Sequence, residues 1–274
     1  MKRILLSLFI ISSIILGVYA QGNMSAIDIV KKNIGKKNFK GLEIESSFNT
    51  IDDQGREKGG KIYMASKTSD NGSVEKRLIE MLEPADMKGT IMLILDYDNK
   101  DDEMWIYMPA LKKPRQIVSN KRGKSFMGTE FTLGDMAVTN IDDFTYKLLG
   151  AEQVDGTDCW IVECIPANNQ VSSKSGYSRK LLHIGKKDYI TRKGMFFDLN
   201  GKLNKVLTAG KVKMVDPATS EYMAFEMSIE NVQNGRTSSI SMDDVRLNHS
   251  LKDEIFTVES LEKKAEQDQQ QASN

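Results

Sequence analysis

Between Ser25 and Lys36 the apolar residues Ile27, Val30 and Ile34 recur at helical spacing behind a serine cap, which predicts an amphipathic helix of about three turns. From Phe39 onward the period drops to two. Leu42, Ile44 and Phe48 alternate with Glu43, Glu45 and Ser47 until Asp52-Asp53-Gln54-Gly55 turns the chain back. Gly60–Lys67 returns, Asn71-Gly72 turns again, and Val74–Glu83 runs as a third strand. Pro84–Gly89 breaks the pattern with a short helical turn. Thr90–Asp96 and Met104–Met108 then pair around the acidic turn Asp98–Asp102, a solvated hairpin that lacks the spacing of a calcium loop. Strand patterns resume over 141–151, 153–166, 177–185, 188–199, 202–214, 221–232 and 236–247, with hairpin signals at Asn200-Gly201 and Asn234-Gly235. Residues 168–176 read as a polar, mobile loop. From Leu261 the charged, Gln-rich tail (261–274) reads as a frayed helix or disorder. The pattern predicts one domain over 21–260, an antiparallel meander of about ten or eleven strands. A sheet that wide curls and acquires a concave face.

Several strands carry more flexible apolar residues than a tight core prefers. Met223, Phe225, Met227 and Ile229 share one face by period two, as do Met195, Phe197 and Leu199, and again Met104, Ile106 and Met108. Methionine adapts to varied shapes, so these faces suit the wall of a binding site, and they equally suit an ordinary core under the helices.

The first twenty residues alter the picture. Lys2 and Arg3, an apolar run from Ile4 to Leu16, and Val18-Tyr19-Ala20 make a secretory leader cleaved after Ala20. The run is shorter than the ~20 residues of a membrane span. An exported chain is expected, periplasmic in a two-membrane bacterium. With 38 basic and 38 acidic residues, the charge balance argues against nucleic acid as a partner. Lys112, Lys113, Arg115, Lys121, Arg122 and Lys124 form one local cationic stripe, either a solvated loop or a contact for anionic headgroups or an acidic partner.

Candidate chemistry is sparse. Cys159 and Cys164 lie roughly 17 Å apart along one strand at about 3.3 Å per residue, and on opposite faces, so two buried free thiols are expected. With only His183 and His249 in the chain, no metal site or cofactor is expected. There is no Gly-x-Ser-x-Gly, no phosphate-binding glycine loop and no HExxH. Asp142-Asp143 and Asp243-Asp244 suit turns better than acid–base pairs. The expectation is a non-enzymatic protein.

One stretch is specific. Trp105-Ile106-Tyr107-Met108-Pro109-Ala110-Leu111, then Lys113 and Arg115, then Ser125-Phe126-Met127-Gly128-Thr129-Glu130-Phe131 and Asp135, resembles the outer-membrane lipoprotein-sorting proteins, a LolA-like group with a W-[LI]-Y-x-P-A-L … F-x-G-[ST]-[DE]-F-x-x-x-D pattern. The resemblance implies an α+β fold: an incomplete, strongly curved antiparallel β-barrel whose concave apolar face is covered by helices. It implies a carrier of lipid or lipoprotein acyl chains between membranes. An inner-membrane transporter complex or outer-membrane acceptor would be its partner, and contact with membranes would be transient. A sensor or scaffold on the same fold is the alternative. On this reading the lipid-binding residues are Met104, Ile106, Met108, Met195, Phe197, Met223, Phe225, Met227 and Ile229. Trp105, Tyr107, Pro109, Phe126, Met127, Gly128, Phe131 and Asp135 form the motif at the lid or rim, and the six cations meet a headgroup or partner.

Overall fold

The structure, a computed structural model, describes residues 24–34, 40–69, 72–97, 100–118, 123–136, 140–247 and 250–273. The expected leader, His249, Lys121 and Arg122 lie outside the described residues. Helix α1 (Ala26–Ile34) starts at Ser25, whose hydroxyl accepts from the Asp28 amide at 3.2 Å. Its inward stripe is Ile29 and Val30, both buried, whereas Ile27 is 40% exposed.

Thirteen strands follow in one antiparallel sheet: β1 (Leu42–Ile51), β2 (Glu57–Thr68), β3 (Val74–Glu83), β4 (Ile91–Tyr97), β5 (Glu103–Tyr107), β6 (Arg115–Gln116), β7 (Phe144–Val154), β8 (Thr157–Pro166), β9 (Arg179–Gly185), β10 (Thr191–Phe197), β11 (Leu203–Asp216), β12 (Glu221–Asn231) and β13 (Arg236–Leu247). Their spatial order is β6-β5-β4-β3-β2-β1-β13-β12-β11-β10-β9-β8-β7. Two meanders therefore meet where β1 pairs with β13. The two-residue β6 is too short for periodicity to reveal, and it helps carry the count past the ten or eleven expected.

The sheet does not close, yet it curves strongly. In order across the sheet, β5 and β9 stand nine strand spacings apart, roughly 43 Å if flat at about 4.8 Å each. Asp102, just before β5, nevertheless lines the same cavity as Lys180 and Leu182 of β9.

One loop expectation is corrected, and the tail takes the helical of its two expected forms. Residues 168–176 contain helix α2 (Asn169–Ser175): the Asn168 side chain caps the Val171 amide at 3.0 Å and Gly176 ends it in the left-handed region. An Asn cap and a terminal Gly are helix signals that the polar composition hides. The tail is also ordered, forming helix α3 (Val258–Ser273). Leu261 and Ala265, four residues apart, are buried on one stripe against the convex face of β2–β5. A 3-10 turn at Asp253–Phe256 leads into it and buries Phe256 in the same cluster.

Candidate functional site

Alternation decides which residues can reach the concave face. On β4, Met92 and Ile94 point inward while Ile91 and Leu93 point out toward α3. Directly paired residues share a face, so register carries this assignment across the sheet: Ile229 faces Leu207, Leu207 faces Gly194, and Gly194 faces Leu182, all inward. At the far end α1 closes the concave face, packing Ile29 and Val30 on Phe144, Val162, Cys164 and Ile184.

The middle is occupied by the connection between the two meanders. Phe126-Met127-Gly128-Thr129 forms a tight turn in which Met127 and Gly128 both have positive φ, 53° and 80°. The Phe126 amide donates to the Phe131 carbonyl at 2.8 Å, closing a small hairpin. Two left-handed residues in succession require a glycine or a residue willing to bear strain, which explains the glycine at 128. Phe126 and Phe131 are buried on the inner wall with Met92, Ile94, Met104 and Ile229. Asp135 accepts from the Thr132 amide at 2.7 Å while its own amide donates to the Thr132 hydroxyl at 3.1 Å, and this reciprocal cap ends the connection.

Glu130 ties the hairpin to the opposite wall. Its backbone amide donates to the Ser238 hydroxyl at 2.9 Å, and its carboxylate accepts from the Asn231 side chain at 3.0 Å. Lys205 Nζ lies 3.6 Å from that carboxylate and also donates to the Glu130 carbonyl; Arg236 approaches at 3.3 Å. Glu130, Lys205, Asn231 and Ser238 are all buried. A desolvated carboxylate survives because cations and amide donors surround it.

The hairpin leaves a cavity on each side. One, of about 570 Å³, lies over β4 and β5 and is lined by Met87, Met92, Ile106, Met108, Pro109 and Phe126. The other, of about 310 Å³, lies under α1 and α2. Its apolar wall is Phe131, Leu182, Phe196, Leu207, Met227 and Ile229, and its rim carries Asn33, Asp143, Lys174 and Lys180.

The sequence-predicted residues divide accordingly. Ile106 and Met108 line the first cavity, and Met227 and Ile229 the second. Met104 is fully buried in the inner wall and lines neither cavity. Met195 and Phe197 are corrections: they point to the convex side, pairing with Leu181 and Arg179, and the Arg179 guanidinium stacks on Phe197 at 4.0 Å. Phe196 takes the inward place. Met223 packs on Leu42 and Ile44 at the other end of the wall, and Phe225 lies beneath the Lys213 ammonium at 4.6 Å, outside both cavities.

The motif is corrected as well. Trp105 and Tyr107 are not at a lid; they face α3 on the convex side, where the Tyr107 hydroxyl donates to Asp268 at 2.7 Å. Burial first, then that hydrogen bond, pushes the Tyr107 phenol up to about 12. Lys112, Lys113, Arg115 and Lys124 are exposed, and none pairs with an acid among the described residues. Cys159 and Cys164 are free and buried, and burial raises the Cys164 thiol to about 12.

Lys180 is the residue the sequence reading passed over. Leucines stand on both faces of Arg179–Gly185, so periodicity alone gives no inward side. Its pairing with Cys164 and Phe196 does: the ammonium points into the smaller cavity, 4.5 Å from the Phe144 ring centroid. Burial pushes its pKa down, and the more distant Asp135 and Asp143 partly oppose this.

This geometry defines a class: an open antiparallel half-barrel with a two-part apolar concavity bridged by its own hairpin. A family model described only as an uncharacterized protein matches residues 73–263, and the chain belongs to that family. The fold is LolA-like. It is similar to a domain described as an outer membrane lipoprotein-sorting protein from Vibrio parahaemolyticus, at 24% identity and TM-score 0.77, over 86% of this chain and 98% of that one. A DUF1329 family protein from Desulfovibrio piger aligns at 25% identity and TM-score 0.77, over 86% and 97%. A LolA superfamily protein from Nitrosomonas europaea aligns at 21% and 0.63, over 86% and 98%. No curated protein matches the chain in sequence. No described helix is long and apolar enough to cross a membrane.

Proposed function

We propose that the protein is a periplasmic, non-enzymatic carrier that takes lipid or lipoprotein acyl chains into the concave face and moves them between membranes. The observation that carries this reading is the smaller cavity, partly open and walled by Phe131, Leu182, Phe196, Leu207, Met227 and Ile229. Its volume and that of its neighbour fall in the range of about 300–1,000 Å³ usual for small-ligand sites. An acyl chain gains about 0.8 kcal/mol for each methylene removed from water, so even a few buried carbons stabilise a complex. Met108 and Met227 can shift to fit chains of different shape. The exposed Lys112, Lys113, Arg115 and Lys124 supply a cationic surface for an anionic membrane, an inner-membrane transporter or an outer-membrane acceptor.

A second reading has one observation in its favour. The hairpin fills the middle of the concave face with Phe126 and Phe131 of the chain itself, as a sensor or scaffold with a self-filled cavity would. Native mass spectrometry of protein isolated without detergent separates the two. The carrier reading predicts a fraction with the added mass of an acyl lipid. A protein that is always empty, and that stays empty after incubation with lipid vesicles, contradicts it.

A further inference from the structure

The smaller cavity is not uniformly apolar. Lys180 lines it from β9, half-buried, with its ammonium turned toward the surrounding aromatic rings. Three aromatic faces ring the ammonium: Phe144 at 4.5 Å, Tyr177 at 5.5 Å and Phe196 at 5.9 Å from the ring centroids. Tyr177 and Phe196 are both buried and lie against each other at 5.0 Å.

No described carboxylate lies within ion-pair distance of it. Asp143 is engaged by Lys174 at 3.9 Å, and Asp135 is held by the Thr132 amide at 2.7 Å. Such a lysine is costly to desolvate, and aromatic faces recover only part of that cost. Neighbouring inward positions are apolar: Leu182 on the same strand, then Leu207, Met227 and Ile229 across the sheet. The cavity therefore sets the Lys180 ammonium against a greasy wall, while its lining also carries Lys174 and the carboxylates of Asp102, Asp135 and Asp143.

We propose that this cavity binds anionic amphiphiles, with the carboxylate or phosphate of the ligand paired to Lys180 and its chain laid along Leu182, Leu207, Met227 and Ile229. The inference rests on the carrier reading and narrows it to a headgroup class. The aromatic ring around the ammonium prepares Lys180 for a single anionic partner. A neutral ester or alcohol of the same length would leave the lysine without one.

The test compares cis-parinaric acid with its methyl ester, two fluorescent probes that share one chain, on delipidated full-length protein. Wild type is expected to bind the acid at least tenfold more tightly than the ester. Lys180→Met, of similar length and apolar, should remove the preference while keeping ester binding, and Lys180→Arg should keep the preference. Lysophosphatidic acid should displace the bound acid, whereas inorganic phosphate should not. Equal binding of acid and ester by wild type overturns the inference and leaves the carrier reading standing. A preference that survives Lys180→Met overturns the assignment to Lys180, and displacement by inorganic phosphate overturns the amphiphile. If neither probe binds, the carrier reading falls too.

Discussion

Glu130 carries more of this structure than its place in a loop suggests. It is buried against Lys205, Asn231 and Ser238, so removing the carboxylate leaves Lys205 desolvated with only the Glu130 carbonyl and no counter-charge. Breaking a buried pair from one side costs roughly 3–5 kcal/mol. Glu130→Ala is therefore expected to lower the unfolding free energy, read by urea denaturation, by an amount in that range; a loss below about 1 kcal/mol would mean the network is solvated. At Gly128, φ is +80° and the added Cβ meets nothing within 4 Å, so strain alone is at stake. Gly128→Ala should cost about 1 kcal/mol, read by the same denaturation. The residue types of this stretch, Phe-x-Gly-Thr-Glu-Phe, were legible in the sequence as a resemblance. Their roles were not, because Ser238 and Asn231 lie about a hundred residues away and no local pattern joins them to Glu130.

At the scale of elements, α3 shows how composition misleads. Glu, Lys and Gln dominate Val258–Ser273, and Val258, Leu261 and Ala265 alone mark the apolar stripe. Polar contacts finish the docking, from the Tyr107 hydroxyl to Asp268 at 2.7 Å and from the Gln269 side chain to the Lys112 carbonyl at 3.0 Å, while Lys264 pairs with Asp268 within the helix at 2.9 Å. Burial works against the Asp268 charge, but the hydrogen bonds from Lys264 and Tyr107 outweigh it and leave the carboxyl below its ordinary value. A lowered pKa stabilises the docked helix above the ordinary Asp value near ~3.9, and that contribution disappears as pH falls through the folded value. For Tyr107 the sign is opposite: the docked state is favoured below about pH 10, and the gain is lost as pH rises through about 12. The protection of α3 amides, measured relative to the unstructured exchange rate at each pH, should accordingly fall at both extremes before that of the sheet, and Tyr107→Phe should remove the basic limb and shrink the acidic one. A helix whose protection stays constant from acid to base would contradict this docking.

For the molecule as a whole, the hairpin turns and alternating strands made the meander readable, since Asn-Gly turns and period-two patterns are local signals. Curvature and the inward side of each strand were not readable in the same way. Met195-Phe196-Phe197 offers large apolar residues on both faces, and only pairing with Leu181 and Lys180 of β9 shows that Phe196 is the one inside. The same register brings Lys180 into the cavity. Position along β12, rather than register, separates two residues that share a face: Met227 lines the cavity, and Phe225 lies outside it under Lys213. Met227→Asp is thus expected to weaken fatty-acid uptake at least tenfold, while Phe225→Asp changes it by less than threefold; both are read by fluorescence titration, with circular dichroism confirming the fold.

The central claim is that an acyl chain lies in the concavity between the hairpin and β9–β12. A crystal grown with a long-chain fatty acid brominated near its methyl end tests this directly. Anomalous scattering should place the bromine among Leu207, Met227 and Ile229, inside the smaller cavity. Bromine found only on the outer surface, or none at all in protein saturated with the ligand, would contradict the account.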